Sequence, residues 1–222
     1  MTIAANQPYF LPYLPYWQLL SAADVFLIAD DYSFRRSSWI NRNIIQIEGK
    51  PLWMCLELKH QSSYKLIGET EILQDISPKK METIRRAYKK APFFEAGYAI
   101  AEKILSNPER NLSLFLECSI RIICDYLGIS TRIMHTSDFP GNALLKKEQR
   151  IYDFCHRMEA DTYVNAIGGM SLYDFDAFRQ EGLRLRFIHS GCREQRSILD
   201  TIMNHSQEEL RDMLNNYSFI DG

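Results

Sequence analysis

No stretch of this 222-residue chain approaches the roughly 18 consecutive apolar residues that a membrane-spanning helix needs. The N-terminus has neither a basic start nor a long apolar run, so it does not read as a secretory signal, and a cytoplasmic location is expected. Basic excess is missing too: 26 Lys and Arg stand against 28 Asp and Glu, a net charge of −2. A generic electrostatic nucleic-acid binder would carry the opposite balance. The cysteines Cys55, Cys118, Cys124, Cys155 and Cys192 form no C-x-x-C pair, and their odd number argues against a disulfide framework and a structural zinc site. Neither GxGxxG, nor a P-loop, nor a GxSxG elbow occurs. What remains is ordinary globular composition, 46% hydrophobic and 24% charged. The length suits one good-sized core, and residues 1–222 read as a single domain.

The most informative stretch is residues 3–43. A short apolar run, Ile3–Ala5, leads into Asn6 and Gln7, then into Pro8-Tyr9-Phe10-Leu11-Pro12-Tyr13-Leu14-Pro15-Tyr16-Trp17. Proline fixes φ and lacks a donor, so Pro8, Pro12 and Pro15 predict a rigid loop before a helix over Trp17–Ala22. Asp24–Ala29 is a compact apolar run that suits a buried strand, and it stops on Asp30-Asp31. A polar tail follows with Arg35, Arg36, Trp39, Asn41, Arg42 and Asn43. In open α/β sheets ligands bind beyond the carboxyl ends of strands, where both polar pairs fall. The simpler alternative is that Asn6 and Gln7 bond loop backbone while Asp30 and Asp31 pair with Arg35 and Arg36.

The blocks QPYFLPYLPYWQL and VFLIADDYSFRRSSWINRN, with KPLWMCLELKH (50–60) and the pair TYVNAIGG and LRLRF (162–187), resemble the WbqC-like family of bacterial proteins. The resemblance covers nearly the whole chain. It implies a role in surface-polysaccharide (O-antigen, lipopolysaccharide) biosynthesis and a transferase activity, aminoacyl or acyl transfer to a sugar. The chain departs from the family pattern at Pro15 (glycine expected), at Asn6 (His or Met expected before Gln-Pro) and at Ile44 (a basic residue expected).

Further along, Ile44–Glu48 and Leu52–Leu58 read as a hairpin turning at Gly49-Lys50-Pro51, and Leu66–Leu73 as a polar edge strand. Ser77 before Pro78 predicts a cap for a basic helix. Phe93–Leu105 and Leu112–Leu127 follow as helices, the second closed by Gly128. From Thr131 strands and helices alternate, with strands at Thr131–His135, Thr162–Ala166 and Leu183–Ile188. Helices at Ser197–Asn204 and Ser206–Asn216 close the chain. The expected fold is α/β and three-layered, a mostly parallel Rossmann-like sheet with a β-hairpin and helical insertion over about 44–128.

For chemistry, Arg35, Arg36, Arg42 and Lys59 offer cations for a phosphate or carboxylate, and Tyr9, Tyr13 and Trp39 offer rings to stack a sugar or base. Asn6, Gln7, Asn41, Asn43 and Asn165 supply amides. The Gly168-Gly169 turn lets backbone amides approach an anion, though a simple tight turn is the readier explanation of the pair. Asp31 and His60 are the acid–base candidates, with His189 and His135 behind them. Asp30-Asp31 could share Mg²⁺ with a phosphate-bearing substrate, but no spacing demands a tightly bound metal. The expected partner is a small sugar or nucleotide-linked substrate. A non-catalytic binding or scaffold protein and a nucleotidyl (adenylyl) transferase stay open as alternatives.

Overall fold

The structure, a computed structural model, describes residues 1–60, 62–73, 78–192 and 195–221. Ser77, the expected cap, and Gln61 lie outside the described residues. Strands β1 (Thr2–Asn6) and β2 (Val25–Ile28) flank helix α1 (Leu14–Ser21). Next come β3 (Arg42–Ile47), β4 (Lys50–Cys55), β5 (Leu58–Lys59), β6 (Glu71–Ile72), and helices α2 (Pro78–Tyr88), α3 (Phe94–Leu105) and α4 (Leu112–Leu127). The second half runs β7 (Arg132–His135), α5 (Glu148–Arg157), β8 (Thr162–Ala166), α6 (Phe175–Gln180), β9 (Arg184–Ser190), α7 (Ile198–Asn204), α8 (Gln207–Asn215) and β10 (Tyr217–Asp221).

Six of these strands form one sheet in the order β10-β9-β8-β1-β2-β7. All neighbours in it are parallel except β10, which runs antiparallel to β9. Strand side chains alternate between two faces, and each face is apolar. Ala4, Phe26, Ile28 and Val164 pack on one side with Leu14, Trp17, Phe115 and Ile202 of the helices there. Ile3, Leu27, Tyr163, Leu185 and Phe187 pack on the other with Phe154 of α5 and Phe178 of α6. The α/β sheet with helices on both faces is the architecture expected. Two antiparallel pairs, β3–β4 and β5–β6, stand outside it.

Local chemistry sets the boundaries. Pro15 sits in the first turn of α1, so the helix starts before Trp17, where proline's missing N–H costs nothing. The Asn111 side chain accepts from Leu114 N–H to start α4, and Gly128 in the left-handed region (φ +71°) ends it. Ser206 and Glu209 form the capping box of α8. The β3–β4 turn is tighter than expected: Glu48 and Gly49 alone make it, both with positive φ. The strand expected over Leu66–Leu73 is broken: Leu66 makes an isolated bridge to Ser33, a 3₁₀ turn follows at Ile67–Glu69, and only Glu71–Ile72 forms a strand. The antiparallel edge strand β10 was not expected; Tyr217–Asp221 is short and its side chains are at best half-buried.

Candidate functional site

From β1 the chain moves outward through β2 to β7, then returns to lay β8, β9 and β10 on the opposite side of β1. The direction therefore reverses between β1 and β8. The carboxyl ends there form the crevice in which open α/β sheets bind ligands. Asn6 ends β1 on one side of it. Across the junction the register Ile3↔Tyr163, Ala4↔Val164 sets Asn165 beside Ala5, one step below Asn6, and the two amides leave the sheet on opposite faces.

The Asn6 carbonyl accepts from Ala29 N–H and its Oδ1 turns back onto Gln7 N–H at 2.8 Å, while its Nδ2 donates to no protein group among the described residues. Asn165 Oδ1 accepts from Ala166 N–H (2.7 Å) and Nδ2 donates to the Tyr163 hydroxyl at 3.3 Å. Tyr163 and Tyr173 hydroxyls meet at 3.5 Å. Burial pushes the phenols of Tyr32, Tyr163 and Tyr173 above the usual tyrosine range, so they remain protonated donors. Gly168 and Gly169 lie in a 3₁₀ turn, Ile167–Leu172, in place of a simple tight turn. A Cβ on Gly169 would come within 3.2 Å of Asn165 Nδ2, a tight approach to which the amide would have to yield.

The acidic pair after β2 is tied inward. Asp30 Oδ1 accepts from Ser137 N–H (3.1 Å), and its Oδ2 accepts from Ser137 Oγ (2.7 Å) and meets His135 Nδ1 at 3.1 Å. The other ring nitrogen of His135 meets Glu117 Oε2 at 2.8 Å. Hydrogen bonds from Asp30 and Glu117 raise His135 to about 10 against the opposing effect of burial, so it is an imidazolium. Burial alone would raise Asp30, but the bonds from His135 and Ser137 outweigh it and hold the carboxyl at about 2. Asp31 is held differently, by Thr136 Oγ1 at 2.6 Å and by Arg150 of α5 at 2.6 Å. Arg150 lies 4.2 Å above the Tyr32 ring and bonds Asn142 Oδ1 at 2.7 Å. The cations that hold this pair are thus His135 and Arg150, where the sequence offered Arg35 and Arg36. Among the described residues no cluster of three or more His, Cys, Asp or Glu side chains takes a metal-holding arrangement.

The remaining candidates scatter. Asn41 and Asn43 are buried, and their amides go to backbone: Asn41 Nδ2 donates to Leu56 O at 3.0 Å, and Asn43 Nδ2 to Phe10 O and Leu11 O at 3.1 and 2.7 Å. Arg42 reaches the Ser37 carbonyl and covers the Trp53 ring at 4.3 Å. Tyr13 meets Trp39 edge-on, and Trp39 meets Trp53. Burial and Tyr13 raise Tyr9 to about 12, with Arg35 opposing. Arg35 and Arg36 are exposed. Lys59 pairs with Glu71 at 3.0 Å on the β5–β6 hairpin, and His60 follows it, exposed. His189 is exposed on β9 opposite Ser218.

Sequence reasoning missed Arg150, Tyr32, Tyr163, Tyr173 and Glu117. Only Tyr173 carried a local signal, its position just after the Gly-Gly turn. A second recess, about 840 Å³, opens on the α1 face and is lined by Leu14, Tyr88, Lys90, Cys192, Asp200 and His205 among others. Its volume falls in the usual small-molecule range of about 300–1,000 Å³. At its floor the Tyr88 hydroxyl donates to Asp200 Oδ1 at 3.1 Å, and Arg196 bonds Oδ2 at 3.0 Å. The Gln7–Tyr13 loop is fastened to α7, its Leu11 and Pro12 carbonyls both accepting from Ile198 N–H.

The chain is thus an α/β protein with an open, mostly parallel six-stranded sheet flanked by helices on both faces. The profile of the WbqC-like protein family matches residues 7–212, and the chain belongs to that family. It is 27% identical over 220 residues to the uncharacterized protein Rv1507c of Mycobacterium tuberculosis (strain ATCC 25618 / H37Rv), covering 93% of this chain and 94% of that protein. No solved structure matches. No helix among the described residues is long and apolar enough to cross a membrane.

Proposed function

We propose that the chain is a transferase of bacterial surface-polysaccharide assembly, moving an aminoacyl or acyl group to a sugar or nucleotide-linked sugar at the β1–β8 crevice. The observation that carries this reading is the pairing, at the switch point, of Asn165 at the end of β8 with the neutral phenols of Tyr163 and Tyr173. Amides and phenols orient a polyhydroxylated acceptor without repelling a charged donor.

In this reading Gln7, Asn6, Asn165 and Tyr173 hold the acceptor, and Arg35 meets the donor's anionic group. The acceptor amine or hydroxyl attacks the acyl carbon of an activated donor. The bond to the leaving group breaks, and the proton passes to solvent or to Asp31. Asp30 and His135 neutralise each other and shape the loop. Mg²⁺ would arrive with a phosphate-bearing donor.

A thermal-shift panel tests this: ATP with and without Mg²⁺, UDP- and dTDP-sugars, CoA and acyl-CoA. A ligand at 100 times its Kd adds about 2.7 kcal/mol, on the order of 5–10 °C for a domain of this size. A nucleotide-sugar shift that Tyr173→Phe and Asn6→Ala abolish supports the reading. A shift unaffected by those variants moves the site elsewhere. A sugar hit without product from any donor identifies a binding protein, and ATP-dependent pyrophosphate release identifies a nucleotidyl transferase.

A further inference from the structure

The β3–β4 hairpin exposes apolar side chains where nothing in the crevice uses them. Strand β4 is the outer strand of a two-stranded sheet, and its first four residues, Lys50, Pro51, Leu52 and Trp53, are all exposed. Successive residues of a strand point to opposite faces. Exposure of all four means that both faces of this edge carry open surface, with Trp39 and Arg42 packed against part of the Trp53 ring. Leu52 keeps 40% and Trp53 46% of their surface open. A protein strand is a poor occupant here, because Pro51 withholds an edge N–H.

Beside this edge lies the most basic part of the chain. Residues 78–90 contain Lys79, Lys80, Arg85, Arg86, Lys89 and Lys90 against the single acid Glu82, in a chain whose net charge is −2. A recess of about 260 Å³ lined by Leu52, Trp53, Glu57, Lys80 and Thr83 among others joins the edge to α2, and within it Lys80 meets Glu57 at 3.9 Å. Lys79, Thr83 and Arg86 follow at helical i, i+4, i+7 spacing, so the two exposed cations share a stripe with the residue that touches the recess. Arg42 adds a guanidinium over the Trp53 ring at 4.3 Å.

We propose that the β4 edge and the basic face of α2 form a docking surface for an anionic lipid bilayer. Cations attracted to acidic headgroups, with a tryptophan and a leucine at the level of the headgroup boundary, are the two parts of interfacial binding. A soluble polyanion would use the cations and gain nothing from Pro51 and Leu52, so the paired features favour the bilayer. The inference is independent of the reaction at the crevice.

The test uses the full chain with phosphatidylcholine vesicles, with and without phosphatidylglycerol, some carrying brominated acyl chains. Sedimentation with the phosphatidylglycerol vesicles alone, weakened by salt, is expected, with tryptophan emission quenched by bromine. Trp17 is fully buried, so Trp53→Phe should remove most of the quenching while Trp39→Phe keeps it. Lys79→Glu with Arg86→Glu should weaken binding tenfold or more, since each cation near such a surface contributes on the order of fivefold. Circular dichroism confirms that these surface variants fold. Equal binding to neutral vesicles, no binding at all, or quenching that survives Trp53→Phe would each overturn the proposal. So would tight binding to heparin or duplex DNA without vesicle association, which would reassign the face to a polyanion.

Discussion

Asn43 Nδ2 donates to the Leu11 carbonyl at 2.7 Å and so fastens strand β3 to the loop that follows β1. Leu11 is buried with φ at +47°, a region that a branched side chain seldom occupies. The same amide also holds Phe10 O, and Asn43 Oδ1 accepts from Ile44 N–H. Asn43→Ala removes the side-chain donor from Phe10 O and leaves Leu11 O only its long bond from Ile198 N–H, which lets the loop relax. A loss of roughly 2–4 kcal/mol is expected, read as a fall in Tm and in the denaturant midpoint. A drop confined to ligand affinity, with Tm unchanged, would mean that Asn43 contacts substrate instead.

The Asp31–Arg150 pair is largely enclosed, with 11% and 9% of the side chains exposed. Breaking one partner strands the other charge, so Arg150→Met alone should destabilise by about 3–5 kcal/mol. Asp31→Asn combined with Arg150→Met should recover a good part of that. Additive losses in this double-mutant cycle would show that the two act separately.

Stability should depend on pH through His135 and Asp30. His135 is raised from 6.5 to about 10 in the fold, so its stabilisation is complete below the unfolded value and fades as pH climbs from about 6.5 through 10. Asp30 is depressed from 3.8 to about 2, so its part is present above the unfolded value and fades as pH falls from about 3.8 through 2. His135→Gln should flatten the alkaline limb of a Tm–pH curve and also make the acid limb shallower, because His135 is one of the groups that hold Asp30 down. An unchanged alkaline limb in that variant would contradict the assignment.

Helices α3 and α7 touch at Gly97, where an added Cβ would come within 2.5 Å of Met203 Sδ. The thioether is flexible, so Gly97→Ala should cost about 1–3 kcal/mol, the usual range for overpacking. Met203→Ala in the same chain should relieve the clash and return part of the lost stability. No relief would place the strain in the helix backbone.

The alternation of strands and helices after Thr131 was legible because each apolar run was short and bounded by polar residues. So were the ends of α4 and α8, where Gly128, Ser206 and Glu209 speak through bonds only a few residues long. Asp30 and Asp31 announced themselves by following a buried strand. Their partners did not: Arg150 lies 119 residues from Asp31 and Ser137 lies 107 from Asp30, separations at which no periodicity speaks. Asn41 and Asn43 looked like ligand amides because a side chain that binds backbone has the same letter as one that binds sugar. Strand β10 hid for a related reason, since half-exposed Tyr217–Asp221 pairs with β9 by backbone and by the Arg186–Asp221 ion pair.

The place of β1 in the sheet has a consequence for how the chain reaches this state. Its first strand is internal, with β2 at residue 25 on one side and β8 at residue 162 on the other. Pairing across such a separation is slow, because the loop entropy is lost before the contact forms. A chain growing on the ribosome therefore completes β1–β2 early and then carries an open edge on β1 until Thr162–Val164 emerges. That interval is when strand addition from a neighbouring chain competes best. A nascent chain stalled before residue 162 should aggregate through β1, and one stalled after β9 should not.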